Sequence, residues 1–519
     1  MKSCSTAHRA ARRVTPVAAL LLGGCAGFAH LAHAPAPETR ALRSAIDSMV
    51  SDTQFHNMNW GILIVNPKTG DTLYQRNAHR LFMPASNEKI ITSSVAWTQL
   101  GPDYRYRTTF VARGPVRDSV LDGDLVVIGR GDPTLSDHML KDAMIPMRAI
   151  ADSLAAHGIA RIRGRVVAGG DALSGPNLGF GWEWDDLDYP YSAGVDELFF
   201  NEGFTDVHAQ GGAHPGDPVT VTTSPAHTFP PLHVTATTIA PGATLLGGAG
   251  TNAAPPDGTA GAADTAATRL TIVNDSAADL GLNVGGTVLA GDTTTIGFAF
   301  RNQRAAYLAA LGEALHDRGI AVGDSATDST AAADTLFVTL SPPLREILPA
   351  LLKPSQNQIA EILYRTVALE KTGVGSPDSA RRFVERQLVS WGIPKNEFAV
   401  RDGSGLSRHD YVAPATLVHI YELLMRDTAF TAYYDALPIA GVDGTIANRM
   451  KGTPAQGNVH AKTGTVDKAR SLSGYVTTAD GQMLIFSFLA NNFTTPNRAI
   501  ERVQDAICER LAAMRLASP

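Results

Sequence analysis

The stretch HAKTGTVDK, His460 to Lys468, contains the tripeptide Lys-Thr-Gly. Two more copies occur, at Lys68-Thr69-Gly70 in NPKTGDTLY and at Lys371-Thr372-Gly373 in LEKTGVGSP. A tripeptide present three times is not diagnostic by itself, so the setting of each copy must decide. NPKTGD lies between two strand-like runs, WGILIV (Trp60–Val65) and TLYQR (Thr72–Arg76), and reads as a hairpin turn. LEKTG closes a segment with apolar residues at Ile359, Ile362, Leu363 and Val367, which predicts a helix with Gly373 as its C-cap. The third copy has neither explanation. SLSGYVTTADGQMLIFSFLANN follows it, two strand-like runs meeting at Asp480-Gly481, so Lys462 is expected on a strand beside a hairpin.

A lysine so placed needs partners if it does chemistry. Ser-x-x-Lys occurs once, at Ser86-Asn87-Glu88-Lys89, in FMPASNEKIITSSVAWTQLG, and the residues after it continue as a helix. A separation of three positions puts Ser86 and Lys89 on one helix face, a turn apart. A neutral lysine there can take the serine proton, and burial with a second cation nearby favours the neutral form. The start of a helix also offers backbone N–H groups to a developing oxyanion. The plain alternative is Ser86 as an N-cap and Lys89 as a solvated charge. Ser-x-Asn also occurs once, at Ser355-Gln356-Asn357 after Pro354, where Ser355 could simply cap a helix.

Together the three elements carry more than each alone. Their order is Ser-x-x-Lys, Ser-x-Asn, Lys-Thr-Gly, the signature of serine β-lactamases and penicillin-binding proteins. The chain resembles the class C low-molecular-mass penicillin-binding proteins, the D-alanyl-D-alanine carboxypeptidase/endopeptidase family. GRGDPTLS (Gly129–Ser136), GWEWDDLDYPYSAGVDELFFNEG (Gly181–Gly203), RDGSGLSR (Arg401–Arg408) and GVDGTIANRM (Gly441–Met450) extend the resemblance over nearly all of the chain after its leader. Gln356 departs from the Asp of Ser-Asp-Asn and is expected to face solvent.

The resemblance implies an α+β fold. A penicillin-binding/β-lactamase-like transpeptidase domain, an antiparallel sheet flanked by helices, would be interrupted by two inserted, largely β domains. The long gap from Ser86 to Ser355 fits this, as does the Ala, Gly, Pro and Thr-rich stretch from Thr205 to Gly286. The expected division is a leader at 1–34, a split catalytic domain at 35–104 and 340–519, a second domain at 105–204 and 288–339, and a small β domain at 205–287. Gly247–Asp264 reads as a linker by composition.

The implied site is Ser86 as nucleophile, Lys89 as general base, Ser355 as proton relay to the leaving amine and Asn357 holding Lys89 and the substrate amide. Lys462 and Thr463 would bind the terminal carboxylate. Gly464 would leave room for substrate along the strand, and the N–H groups of Ser86 and Thr465 would form the oxyanion hole. Asp186 and Arg408 would recognise the amine and carboxylate of the stem peptide's side chain. Peptidoglycan stem peptides are the implied partners, with β-lactams as covalent inhibitors. A β-lactamase and a non-enzymatic peptidoglycan-binding envelope protein remain as alternatives.

Composition agrees with this class. Of 519 residues, 44% are hydrophobic and 18% charged, and a net charge of −6 lacks the basic footprint of a nucleic-acid binder. Lys2, Arg9, Arg12 and Arg13 precede an apolar run from Pro16 to Ala29, too short for a membrane span and fitting an export signal. LGGC, Leu22 to Cys25, resembles a lipoprotein box that would anchor the protein to a membrane through a lipidated Cys25; the alternative is plain cleavage near Ala29 or Ala34. An exported protein, periplasmic or otherwise of the cell envelope, is expected. Cys508 reads as a small core residue in a C-terminal helix. No His-Glu-x-x-His or Cys-x-x-Cys occurs, so neither metal nor other cofactor is expected.

Overall fold

A computed structural model describes residues 37–225, 230–241, 268–274, 281–325 and 332–516. The leader at 1–34, with Cys25, and the Gly247–Asp264 linker lie outside the described residues.

The runs WGILIV and MLIFSFLA are apolar at consecutive positions, as strands covered on both faces must be. They become neighbours in a five-stranded antiparallel sheet ordered Asp71–Arg76, Asn59–Asn66, Met483–Asn491, Ala469–Thr477, His460–Val466. Alternate side chains go to opposite faces. Ile62, Ile64, Phe486 and Phe488 meet Ile46 of the first helix, Pro37–Val50, and Ile507 and Cys508 of the last, Asn497–Ala513. Leu63, Val65, Ile485 and Leu489 face a helical layer on the other side. The third Lys-Thr-Gly lies on His460–Val466, an edge strand. The other two copies sit as read: Gly70 in the turn between the first two strands, and Gly373 as a left-handed C-cap of the helix Asn357–Thr372.

Within the helical layer, Glu88–Leu100 is enclosed on all sides along Glu88–Trp97, and Asn357–Thr372 packs beside it. Each carries catalytic-motif residues at its N-terminal end, and both ends point toward the edge strand.

Between these halves the chain leaves and returns. Strands Arg107–Arg113, Asp124–Ile128, Val166–Ala168 and Ala333–Leu340 form one sheet, covered by the helices Met144–Ala156 and Gln303–Asp317. Further in, Phe204–Gln210 pairs with Thr220–Ser224 and Thr293–Ala299, and Leu282–Leu289 with three shorter strands shares a second small core with them. Thr293–Ala299 therefore lies with the innermost β elements, although the division expected from sequence ended them at 287.

Leu363 is fully buried in the helical layer, whereas Lys371 in the last turn of the same helix is exposed. Leu363→Ala should cost about 2–5 kcal/mol, read as a lowered denaturation midpoint. Lys371→Ala should change stability by less than about 0.5 kcal/mol and leave activity intact, as befits a cap copy of the tripeptide.

Candidate active site

Pro84 leads into a short 3-10 turn, Ala85–Asn87, that runs directly into the helix Glu88–Leu100. Ser86 therefore stands at the N-terminal end of a long helix but does not cap it. Its Oγ accepts a hydrogen bond from Lys89 Nζ at 2.8 Å. The same ammonium donates to Asn357 Oδ1 at 2.6 Å and to the Ser404 carbonyl at 2.7 Å. Lys89 is thus neither solvated nor free to move, and the plain alternative for this motif is excluded.

Asn357 opens its helix, and its amide also donates to the Tyr191 carbonyl at 2.7 Å. Ser355 precedes it with φ +68°, a backbone conformation that turns the side chain toward the cleft. The cap of this helix is Gln356, whose Oε1 accepts from Ile359 N. Gln356 Nε2 also donates to Glu202 at 2.8 Å. The expectation of a solvent-facing Gln356 is thereby corrected: its amide caps the helix and ties the loop to Glu202. Lys462 Nζ donates to Ser355 Oγ at 2.7 Å and to the Thr463 carbonyl at 2.8 Å.

Both lysines are fully buried, and the consequence follows from the cost of burying a charge. Burial pushes the Lys89 ammonium down to about 7, against the pull of Asp402, Glu361, Glu88 and Asp410. Burial, and then the charge of Lys89, hold Lys462 well below the usual lysine range. Behind Lys89 the carboxylates crowd one another. Burial and their mutual repulsion raise Glu88 and Asp410 well above the carboxylate range and Glu361 to about 7.

The carboxylates also build the loop RDGSGLSR. Glu361 accepts the N–H groups of Gly403 and Ser404, and Asp402 accepts those of Ser404, Gly405 and Ser407. Trp182 Nε1 donates to Asp402 as well, fastening the loop to the WEWDD segment. Gly405 has φ +81°, and a Cβ there would lie 1.9 Å from the Ala85 carbonyl, so the loop rests directly on the Ser86 turn. Sequence reasoning quoted this loop but did not foresee Ser404, Glu361 or Asp402; an acidic residue on a helix facing inward was the only available sign.

The edge strand meets the same turn. Asn87 Nδ2 donates to the Lys462 carbonyl at 2.9 Å. A Cβ on Gly464 would lie 2.2 Å from Ser471 Oγ, 2.6 Å from the Pro84 carbonyl and 2.9 Å from Ser86 N. The missing side chain is therefore required by the packing of strand on turn, and Gly464 also lines the cavity beside Ser86. Thr463 and Thr465 point the other way, into a cavity of about 370 Å³ that Ser86, Ser355, Asn357, Asp186 and Arg408 also line. All ten residues expected at the site thus lie at or directly behind one cleft. Arg408 Nε is 3.6 Å from Glu183, a residue that sequence reasoning missed, whereas Asp186 accepts from Tyr191 OH at 2.6 Å.

The sequence matches the D-Ala-D-Ala carboxypeptidase 3 (S13) family over residues 42–245 and 252–514. The chain belongs to this family. It is 33% identical to the D-alanyl-D-alanine carboxypeptidase of Actinomadura sp. (strain R39) over 528 residues, 98% of this chain and 90% of that protein. It is 27% identical to the D-alanyl-D-alanine carboxypeptidase DacB of Haemophilus influenzae, over 84% of this chain and 86% of that one. The fold is similar to the crystal structure of penicillin binding protein 4 (dacB) from Haemophilus influenzae, with a TM-score of 0.73 at 25% identity, over 91% of this chain and 99% of that chain. As a member of the S13 family the protein is a D-Ala-D-Ala carboxypeptidase, a serine-type hydrolase, with the α+β fold expected from its motifs.

Gly464→Ala tests the strand contact. The added carbon must push the strand from the Ser86 turn, and a displacement near 1 Å can cost about a hundredfold in rate. Acylation by a chromogenic β-lactam should slow by at least about tenfold while the circular dichroism spectrum stays unchanged.

Proposed function

We propose that Ser86 is the acylated nucleophile and Lys89 its general base. The observation that carries this is the 2.8 Å contact from Lys89 Nζ to Ser86 Oγ, with the amine fully buried where its neutral form is favoured. In the neutral form the amine nitrogen accepts the Ser86 proton as Oγ attacks the carbonyl of a D-Ala–D-Ala terminus. Asn357 and the Ser404 carbonyl fix the amine, so little geometry is lost when it becomes an ammonium. Ser355, hydrogen-bonded to Lys462, passes a proton to the leaving amine. The N–H groups of Ser86 and Thr465 receive the oxyanion, and Thr463 with Lys462 holds the terminal carboxylate.

The substrates are peptidoglycan stem peptides. Arg408, with Asp186 and Glu183 beside it in the cleft, supplies both signs of charge for a stem-peptide side chain carrying an amine and a carboxylate. The edge strand leaves N–H and C=O groups open for an extended peptide to pair with. The enzyme also opens cross-links as an endopeptidase, and β-lactams, which present a strained amide beside a carboxylate, acylate Ser86. The basic and apolar leader directs export to the cell envelope. Among the described residues no helix is long and apolar enough to cross a membrane. We assign 37–104 and 340–516 to the catalytic domain, and the strands from Phe204 to Ala299 to the innermost insertion.

Two measurements test the assignment. Intact mass after penicillin should show a covalent adduct that Ser86→Ala abolishes; penicillin hydrolysis without an adduct would instead indicate a β-lactamase. Because only neutral Lys89 accepts the proton, the acylation rate should be constant above its pKa and fall on acidification. Below about pH 7 the fall should approach tenfold per unit. Lys89→Arg, which cannot deprotonate, should lack this limb and acylate at least about a hundredfold more slowly.

A further inference from the structure

The cleft does not end at the carboxylate-binding threonine. Thr463 Oγ1 is hydrogen-bonded to Thr445 Oγ1 at 2.7 Å, and Thr445 lines both the catalytic cavity and a second groove of about 600 Å³. One wall of that groove is Pro349 and Ala350 on the helix Leu344–Leu352, continued by Lys353; the other is His138 and Met139 from the inserted region. We infer that this groove receives the peptide on the leaving side of the scissile bond when the substrate is a cross-linked stem-peptide dimer. This rests on the carboxypeptidase reading above.

Direction supports it. In a D-Ala–D-Ala terminus the residue after the scissile amide bears the carboxylate, so the leaving side of the substrate is the side of Thr463. Thr445 continues from Thr463, and none of Glu183, Asp186 and Arg408 lines the second groove. A substrate that ends at its terminal D-Ala stops at Thr463 and leaves the groove empty. A cross-linked substrate cannot stop there, because the leaving amine belongs to a residue that carries another peptide. The volume is within the range of sites for small ligands, roughly 300–1,000 Å³.

The groove is also built to hold its shape relative to the chemistry. The Thr445 N–H donates to the Lys353 carbonyl at 3.0 Å, two residues before Ser355. On the far wall, buried Glu202 accepts from Ser136 Oγ at 3.2 Å and from Gln356 Nε2 at 2.8 Å, and lies 3.5 Å from His138 Nδ1. One carboxylate thus couples the wall of the groove to the loop that carries Ser355. The rim bears Lys353, His138 and Glu346, both signs of charge, which suits a peptide with carboxylates and amines better than an apolar ligand. The nearby Glu202 carboxylate raises the His138 imidazole above its ordinary value.

The reaction balances as the carboxypeptidase step does. The Ser86 Oγ–carbonyl ester forms as the amide C–N bond breaks, and the amine in the groove takes the proton relayed from Ser86. Water then cleaves the ester, giving the free carboxylate and restoring Ser86.

The test compares a pentapeptide monomer with a cross-linked dimeric muropeptide on the same enzyme preparations. Ala350→Trp fills the groove and should lower kcat/KM for the dimer at least about tenfold while the monomer reaction stays within about twofold. His138→Ala, an exposed position whose loss spares the core, should raise KM for the dimer alone. An equal effect on both substrates, no effect on either, or an unmodified enzyme that opens no dimer while trimming the monomer would overturn the assignment of the groove. An unmodified enzyme that fails to trim the monomer would overturn the carboxypeptidase reading, and the groove with it.

Discussion

One buried nitrogen organises the protein. Lys89 Nζ donates to Ser86 on its own helix, to Asn357 on a second helix and to the Ser404 carbonyl on a loop some three hundred residues away. A lysine with no access to water must have all its protons accepted or lose one, and either outcome requires these three segments to be in place. The two helices pack side by side because of this as much as through Ile90, Ile91, Ile359 and Leu363. The loop in turn requires Glu361 and Asp402 beneath it, since its N–H groups have been taken from water.

The arrangement carries its costs locally. Ala85 and Ser355, the residues on either side of the cleft that aim the two serines, both hold positive φ. Such conformations cost about 1–3 kcal/mol each for residues with a side chain and persist only where the surroundings enforce them. Here the enforcement is visible: Gly405 packs on the Ala85 carbonyl, Gly464 on Ser86 N, and Gln356 fastens the Ser355 loop to Glu202. The close approach of Lys89 and Lys462 is a second local cost. After burial, the charge of Lys89 is what holds Lys462 below the usual lysine range.

How far the site was legible can be judged residue by residue. Ser86, Lys89, Ser355, Asn357 and Lys462, singled out by short-range spacing and by the turn chemistry that explains the other two copies of Lys-Thr-Gly, come together at one cleft. Gln356 was misread because a helix-start position next to a cleft residue gives no sign of which way it faces. A second reason for Gly464 was not legible, since the atoms a side chain there would meet come from Pro84, Ser86 and Ser471 and not from its neighbours in sequence. Glu361 and Asp402 look, in sequence, like any acidic residue on a helix and in a turn.

The sequence by itself determined the three motifs and their order along the chain, because the Ser86–Lys89 spacing and the cap and turn signals are set within one helical turn or one hairpin. It also determined the sheet's buried character, since strands covered on both faces are apolar at successive positions. Only the tertiary structure decided which carbonyl and which carboxylates enclose Lys89, why Gly464 must be glycine, and that the cleft runs on past Thr445. Those depend on distances between segments hundreds of residues apart, and such distances are set by how whole faces pack, which no local pattern records.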